Sequence, residues 1–235
     1  MTAKLLPRLT ATDVLIDMNG TLTCLKKHKT KDEKSFLNLL VELMMESKVI
    51  SKEEALKRIK KVGNPNTTCL FSFLPTLGIS RHDYWDKVQQ YLSKRIEIAK
   101  DAVYLILTLP KRGIRLYSAT TNSRMATLSK LAVSGLATID GSPYFTGFFG
   151  GDSFGDPLGK FSPSFFPSII KETHLKPAKT LMIGDDQEHD LAPALAAGIK
   201  QVVLVKRDQK EPFIKKNDGG IYVNSLKWVL KMIGD

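Results

Sequence analysis

The sequence has only two cysteines, Cys24 and Cys69, and they lie far apart in the chain. They form neither a disulfide framework nor a paired metal motif, so a reducing compartment is expected. No stretch approaches the roughly 18 apolar residues of a membrane span. Residues 1–12 include Lys4 and Arg8 but lack the apolar core of a secretory signal. These absences lead us to expect a cytoplasmic protein that does not enter a membrane.

Acidic residues are scarce relative to basic ones. The chain has 24 Asp and Glu against 35 Lys and Arg, which gives a formal net charge of +11. Such an excess suits nucleic acid, an anionic membrane or an anionic small molecule. The basic residues are spread out, the run at residues 57–61 is typical of a solvated helix face, and no segment interleaves basic and aromatic residues as nucleic-acid modules do. The charge therefore favours a small anionic substrate, and the oligomeric state stays open.

Short apolar runs alternate with segments of helical periodicity. The 235 residues, 43% of them hydrophobic, are enough for one large domain or for a core with an accessory domain. Strands are predicted at residues 14–16, 114–119, 145–149, 180–183 and 201–205, and helices at residues 124–133, 163–173, 189–197 and 225–232. This alternation predicts βαβ units and hence an α/β fold around a parallel sheet.

A long segment at residues 25–104 follows a different pattern and has the character of an insertion. Apolar residues recur at helical spacing between residues 36 and 44. Ser51 and Glu54 match a capping box that opens a second helix. A third helix is predicted from residue 80 towards residue 99. We therefore expect this segment to be mainly helical.

Polar residues follow the first two predicted strands of the sheet. Asp17 ends the first strand and precedes a turn that contains Gly20. The second strand is followed by Thr120, Thr121 and Asn122, whose hydroxyl and amide groups can bind a phosphate, although such residues are also common helix caps. Because ligands bind at the carboxyl ends of parallel strands, both stretches are candidates for a functional site.

A lysine and a cluster of acids follow later in the chain. Lys160 precedes a helix, where a lysine can neutralise phosphate as a point charge, although a single lysine is more often solvated. Asp185, Asp186 and Asp190 follow the strand at residues 180–183. Carboxylates there are costly unless they are paired or bind a cation, and Mg²⁺ accepts carboxylate oxygens together with substrate phosphate. The cluster therefore predicts a magnesium site, although Asp186 also suits a helix N-terminus.

Together, the four stretches resemble the motifs of the haloacid dehalogenase-like (HAD) hydrolase superfamily. Residues 17–21 match the pattern Asp-x-Asp-Gly-Thr except at position 19, and residues 114–122 resemble the second motif. Lys160 matches the third motif, and residues 184–199 are similar to the fourth. The resemblance covers residues 13–205.

The resemblance implies a fold and a domain organisation. The family has a doubly wound parallel sheet, the Rossmann-like HAD core, with a helical cap domain inserted into it. In this chain it places the core at residues 1–24 and 105–235 and the cap at residues 25–104. A cap that closes over the crevice would exclude water and set specificity.

The resemblance also implies roles around the nucleophile. Asp17 would attack phosphorus and become an aspartyl phosphate. Asp17 and Asp185 would bind magnesium through their carboxylates, and Asn19 through its main-chain carbonyl. Lys160 would neutralise the nucleophile and the phosphate.

Four further residues have roles implied by the same motifs. Either Thr120 or Thr121 would hold a phosphoryl oxygen: the distance from the strand start favours Thr120, while the Thr-Asn pair favours Thr121. Asp190, with Asp186 as a second candidate, would support the metal or orient Lys160.

Asn19 departs from the pattern, because phosphatases of this family carry a second Asp there that exchanges a proton with the leaving group. An amide cannot do so, and general acid–base help is worth roughly 100- to 10,000-fold in rate. We therefore expect a magnesium-dependent hydrolase of a small phosphorylated metabolite, which turns over slowly unless another group supplies the proton. The alternatives are an inactive binding or regulatory protein, a phosphonate hydrolase or, ranked lowest, a dehalogenase.

Overall fold

The computed structural model describes residues 5–26, 34–155 and 159–234. Its strands are β1 (Asp13–Ile16), β2 (Thr23–Leu25), β3 (Ile96–Ile98), β4 (Arg115–Ala119), β5 (Gly147–Phe149), β6 (Thr180–Gly184), β7 (Gln201–Val205), β8 (Phe213–Lys215) and β9 (Ile221–Val223). Its helices are α1 (Phe36–Lys48), α2 (Lys52–Val62), α3 (Leu74–Leu77), α4 (Arg81–Arg95), α5 (Lys100–Thr108), α6 (Arg124–Ala132), α7 (Phe165–Thr173), α8 (Ala192–Ala196) and α9 (Lys227–Ile233).

A seven-stranded sheet, in the order β5-β4-β1-β6-β7-β9-β8, forms the centre of the molecule. All its neighbouring strands are parallel except the edge pair β8 and β9. Side chains of β1 alternate between two cores: Leu15 packs with residues of α7 and α8, whereas Val14 and Ile16 pack with residues of α5, α6 and α9. Each such side chain contributes about 1.5–3 kcal/mol by leaving water. The predicted α/β fold with a doubly wound sheet is confirmed.

The register of the sheet brings three strand ends together. Ile16, the last residue of β1, lies opposite Ser118 of β4 on one side and opposite Ile183 of β6 on the other. Since these strands are parallel, the residues that follow them emerge at the same edge. The stretches that begin at Asp17 and Asp185 are therefore neighbours, with the β4 end beside them.

The inserted segment is helical, as predicted. The helices α1, α2 and α4 each begin with a serine N-cap whose side chain accepts a hydrogen bond from a backbone N–H two or three residues into the helix: Ser35, Ser51 and Ser80. The antiparallel strands β2 and β3 lie where the chain leaves the core and returns. The division into core and cap stays a prediction. Its boundary at residue 104 falls inside α5, and residues 27–33 lie outside the described residues.

Three predicted helices differ from the observed ones. The helix predicted towards residue 99 ends at Arg95, because Ile96 and Ile98 alternate with exposed Glu97 and form β3. The helix predicted from residue 163 begins at Phe165, which places Pro167 in the first turn, where a missing N–H costs little. The helix predicted from residue 189 opens with a π-helical turn, Gln187–Leu191, before α8.

Among the described residues, no helix is both long enough and apolar enough to cross a bilayer.

Candidate active site

Asp17 lies at the carboxyl end of β1, beneath the opening of the crevice. Its side chain is only 2% exposed, and its backbone N–H donates to the carbonyl of Ile183 over 2.9 Å. The turn that follows is closed by hydrogen bonds from the N–H groups of Leu22 and Thr23 to the carbonyl of Met18. The backbone therefore fixes where the Asp17 carboxylate points.

Gly20 allows this turn to approach Asp185. Its φ is +75°, a conformation that residues with a side chain rarely adopt, and a Cβ at this position would overlap the Asp185 carboxylate. The Thr21 hydroxyl donates to Oδ1 of Asp185 over 3.4 Å. The glycine of the first motif thus makes room for the acid of the fourth.

Lys160 connects the first motif to the last. Its Nζ lies 2.7 Å from Oδ1 of Asp17 and 2.7 Å from Oδ1 of Asp190. Burial disfavours the charged ammonium, but the two carboxylates outweigh that effect and raise the pKa of Lys160. Lys160 therefore holds a fixed positive charge against the candidate nucleophile.

Asp190 has both of its oxygens occupied. While Oδ1 accepts from Lys160, Oδ2 accepts from the backbone N–H groups of Asp185 and Asp186 at 3.0 Å each. A Cβ on Gly184 would overlap Asp190, so a glycine is required at the end of β6. The contacts of Asp190 suit a residue that orients Lys160 and the loop carrying Asp185.

Three acids at this edge form a compact group. One carboxylate oxygen from each of Asp17, Asp185 and Asp190 lies within 4.8 Å of the others. Burial raises the pKa of Asp17 to about 6; Lys160 opposes this shift and Asp190 adds to it. The pKa of Asp185 is also raised, by burial and then by the charge of Asp190. Hard oxygen donors that repel each other in this way fit a divalent cation.

Asp186 has a different environment from the other acids. Its Oδ1 accepts from the backbone N–H groups of Glu188 and His189 at 2.8 and 2.9 Å, and the ring of His189 lies 2.9 Å away. These contacts, led by the backbone hydrogen bonds, outweigh the effect of burial and lower the pKa of Asp186. Its carboxylate caps the π-helical turn and is not one of the three acids that form the compact group.

The two candidate threonines differ in their surroundings. Thr120 is buried, and its hydroxyl accepts from Nδ2 of Asn122 over 2.8 Å. Thr121 is partly exposed and lines a cavity of about 160 Å³ that is also bounded by Asp152 and by residues 66–71 of the inserted segment. The Thr120 hydroxyl can still donate its hydrogen to a phosphoryl oxygen, whereas Thr121 faces the space beside it.

Sequence reasoning missed Lys130, on α6. Its Nζ lies 2.7 Å from Oδ1 of Asn19 and 2.6 Å from Oδ1 of Asn122. Burial lowers its pKa to about 8, partly offset by the charge of Asp17. Helical side chains lean towards the N-terminus, so a lysine about two turns into α6 can reach back to the crevice. The sequence alone gives the same lysine an equally good place in solvent.

Sequence reasoning also missed Arg207 and Asp101, which form a hydrogen-bonded network with the turn that follows Asp17. Arg207 donates from Nη2 to the carbonyl of Thr21 over 2.8 Å and from Nη1 to both oxygens of Asp101. Asp101 also accepts from the Ser225 hydroxyl and the Leu226 N–H. This buried network joins α5, the loop after β7 and the start of α9 to the first motif.

Comparison with known proteins decides the family. The family model for haloacid dehalogenase-like hydrolases matches residues 14–198. The chain belongs to the HAD-like hydrolase family. The matched range begins in β1 and ends just after α8, so it includes the first three motif stretches and all but the last residue of the fourth.

Individual relatives support the fold of this HAD-like chain. A phospholysine phosphohistidine inorganic pyrophosphate phosphatase from Xenopus laevis is 42% identical over 74 residues, which are 29% of this chain and only 26% of that protein. A HAD phosphatase from Thermococcus onnurineus aligns with a TM-score of 0.57 at 20% identity, over 94% of this chain and 97% of its own. A HAD-hydrolase from Bacillus subtilis bound to magnesium aligns with a TM-score of 0.55 at 16% identity, over 97% and 100%.

The site of this HAD-like hydrolase gathers residues from distant parts of the chain. Asp17, Lys160, Asp185 and Asp190 share one cluster, and Thr120, Asn122 and Lys130 form a separate hydrogen-bonded chain that ends at Asn19. Asn19 also lies at the crevice, but its side chain contacts Lys130 instead of a carboxylate. The roles predicted for these residues stay predictions.

Proposed function

We propose that this HAD-like hydrolase is a magnesium-dependent phosphatase of a small phosphorylated metabolite, with Asp17 as the nucleophile. The observation that carries the proposal is the buried group in which Lys160 lies 2.7 Å from Asp17 while Asp185 stands close by. A buried carboxylate held by a lysine and facing a second acid suits attack on an anionic phosphoryl group.

The donor set fits magnesium. The carboxylates of Asp17 and Asp185, with the main-chain carbonyl of Asn19, would hold the ion through oxygen alone, as Mg²⁺ requires. Once bound, the ion would neutralise the charge of the phosphoryl oxygens. Asp190 supports this arrangement from behind, because its own oxygens are occupied by Lys160 and by two backbone N–H groups.

The residues of the chain supply the remaining chemistry. Lys160 engages Oδ1 of Asp17 and so fixes its rotation. A carboxylate oxygen of Asp17 would form the bond to phosphorus while the bond to the leaving oxygen breaks, giving an aspartyl phosphate. The Thr120 hydroxyl would donate to a phosphoryl oxygen, and water would then release phosphate from Asp17.

The space beside the site is lined by polar groups from the core and from the inserted segment. Thr121, Ser123 and Asp152 line one cavity together with residues 66–71. Such a lining suits a small, polar phosphate ester, which is the proposed substrate class, with residues 66–71 as the candidate selectors.

A phosphate-release screen tests the proposal. Purified protein with magnesium should release phosphate from at least one small ester among sugar phosphates, nucleotides, phosphonates and aryl phosphates. Asp17→Asn should reduce turnover by at least about 1,000-fold, because the amide is not a nucleophile for this reaction. Asp140→Asn is the matched control: that carboxylate is exposed, lies 3.8 Å from Arg81 and belongs neither to the acid cluster nor to the cavity beside Thr121.

Two results would contradict the assignment. Unchanged activity in Asp17→Asn would exclude Asp17 as the nucleophile. No release by the wild-type protein from any ester, together with tight binding of an acidic partner, would favour the binding or regulatory alternative that Asn19 raises.

A further inference from the structure

Two lysines lie beside the candidate nucleophile, and their partners differ. Lys160 is paired with the carboxylates of Asp17 and Asp190. Lys130 is held by the amide oxygens of Asn19 and Asn122. None of the ion pairs among the described residues includes Lys130. Amides carry no net charge, so Lys130 keeps its full positive charge available to an anion.

The location of Lys130 relates it to the leaving oxygen of the substrate. Asp17 is buried, Lys130 is partly exposed and Asn19 is exposed. The Lys130 ammonium is itself buried, but its 2.7 Å hydrogen bond to Oδ1 of the exposed Asn19 directs it from the nucleophile towards the opening of the crevice. In phosphoryl transfer the attacking and leaving oxygens lie roughly in line with phosphorus. An attack from the buried side therefore sends the leaving oxygen towards the opening, where Lys130 lies.

We propose that Lys130 donates a hydrogen bond to the leaving oxygen of the substrate and stabilises the negative charge that develops there. The inference rests on the proposed phosphatase function. The oxygen of Asp17 bonds to phosphorus, the bond from phosphorus to the leaving oxygen breaks, and its electron pair stays on that oxygen, which then takes a proton from solvent. The Lys130 ammonium keeps its own protons throughout.

The second half of the reaction follows from the same atoms. A water oxygen bonds to phosphorus, the bond to Asp17 breaks, and its electron pair returns to the carboxylate. The water proton goes to solvent, so the net result is hydrolysis of the ester. Lys130 takes part only in the first half, because only then does a leaving oxygen carry charge beside it.

The contact between Lys130 and Asn19 explains how an amide at position 19 can support this role. An aspartate in the same rotamer would place a negative charge 2.7 Å from the Lys130 ammonium. Such a pair would neutralise the cation that the leaving oxygen needs. Asn122 adds the second amide oxygen and joins Lys130 to the Thr120 hydroxyl. The two asparagines therefore position a charged donor without cancelling its charge.

Leaving-group dependence tests this role. The ratio of kcat/KM for 4-nitrophenyl phosphate to kcat/KM for phenyl phosphate is measured with magnesium in each variant. Phenolate is the poorer leaving group, so it needs more help. Lys130→Met should lose about 100-fold or more on phenyl phosphate, as expected for a lost transition-state donor, but roughly ten-fold or less on 4-nitrophenyl phosphate. Lys130→Arg, which keeps the charge, should stay near the wild-type ratio.

The ratio is independent of how much of a variant is folded, so a stability defect alone cannot change it. Lys171→Met, on the exposed surface of α7, is the control and should match the wild type. An unchanged ratio in Lys130→Met, with an active wild type, would overturn the role of Lys130 and leave the proposed function intact. A wild type that releases no phosphate from any ester would overturn both.

Discussion

At the scale of single residues, the site depends on which oxygen atoms are already occupied. Both carboxylate oxygens of Asp190 already accept hydrogen bonds, one from Lys160 and the other from two backbone N–H groups. Oδ1 of Asp186 accepts hydrogen bonds from the first N–H groups of the π-helical turn. Among the described residues, the carboxylate of Asp185 accepts only a 3.4 Å hydrogen bond from the Thr21 hydroxyl, while Lys206 binds its main-chain carbonyl. Asp185 is therefore the acid with free coordination capacity beside Asp17.

The first residue-scale prediction concerns magnesium. The ion should stabilise the folded protein by mass action, by about 2.7 kcal/mol at 100 times its dissociation constant. Asp185→Ala should abolish the magnesium-induced rise in melting temperature, because it removes a carboxylate ligand. Asn19→Ala should largely keep the rise, because only the main-chain carbonyl is needed. Thermal melts with and without magnesium test this. If Asp185→Ala keeps the rise and Asn19→Ala loses it, the proposed position of the metal is wrong.

At the scale of elements, β6 and the π-helical turn Gln187–Leu191 form one functional unit. The turn brings Asp190 back over the end of β6, where its side chain packs against Gly184. The sequence predicted a regular α-helix from residue 189. A π-helical turn contains one residue more than an α-helical turn and is therefore wider. The wider turn coincides with the point at which Asp190 must reach Lys160, as is common for π-bulges at functional sites.

The element-scale prediction uses two glycines. Gly184→Ala should push Asp190 away from Lys160, cost about 1–3 kcal/mol of stability through overpacking, and reduce phosphate release. Gly141→Ala is the matched control, since a Cβ there meets no atom within 4 Å. Urea unfolding and steady-state kinetics on both variants test this. Equal behaviour of the two would mean that Gly184 does not set the position of Asp190.

At the scale of the whole molecule, Asp101 and Arg207 tie the outer elements to the nucleophile turn. Burial of Asp101 raises its pKa, but hydrogen bonds from Arg207, Ser225 and Leu226, together with the charge of Arg207, outweigh it, so the pKa is lowered. A carboxyl group with a lowered folded-state pKa stabilises the fold above its unfolded pKa, near 3.9. That contribution is lost as the pH falls through the folded-state value.

The whole-molecule prediction follows from the lowered pKa of Asp101. Asp101→Asn should lower the free energy of unfolding by about 1.5–3 kcal/mol at pH 7, as expected for hydrogen bonds to a charged group. The difference in unfolding free energy between variant and wild type should become smaller below about pH 4. Glu46→Gln removes the exposed pair with Lys87 and should cost less than about 1 kcal/mol. Unfolding curves from pH 3 to pH 7 provide the test. A gap that stays constant with pH would contradict the ionic origin of the effect.

The sequence by itself determined the parallel sheet, its main strands and the motif residues. Those features depend on local patterns: continuous apolar runs such as residues 14–16, a glycine after Asp17, and acids after the strand that ends at Gly184. The likeness of the motifs to a known family supplied the expectation that Asp17 and Asp185 lie together as metal ligands. Four strands, β2, β3, β8 and β9, were not predicted, because three residues are too few for a clear alternation.

Only the tertiary structure decided which side chains complete the site. Lys130, Arg207 and Asp101 have no motif, and each is a charged residue that the sequence places equally well in solvent. Their roles arise because the fold brings together partners that are far apart in the chain: Lys130 with Asn19, and Arg207 with Asp101 and the Thr21 carbonyl. The same holds for Asp186 and Asp190, similar acids four positions apart that the π-helical turn directs to different partners. Burial and partner choice are properties of the folded chain, since they depend on residues that local pattern does not bring together.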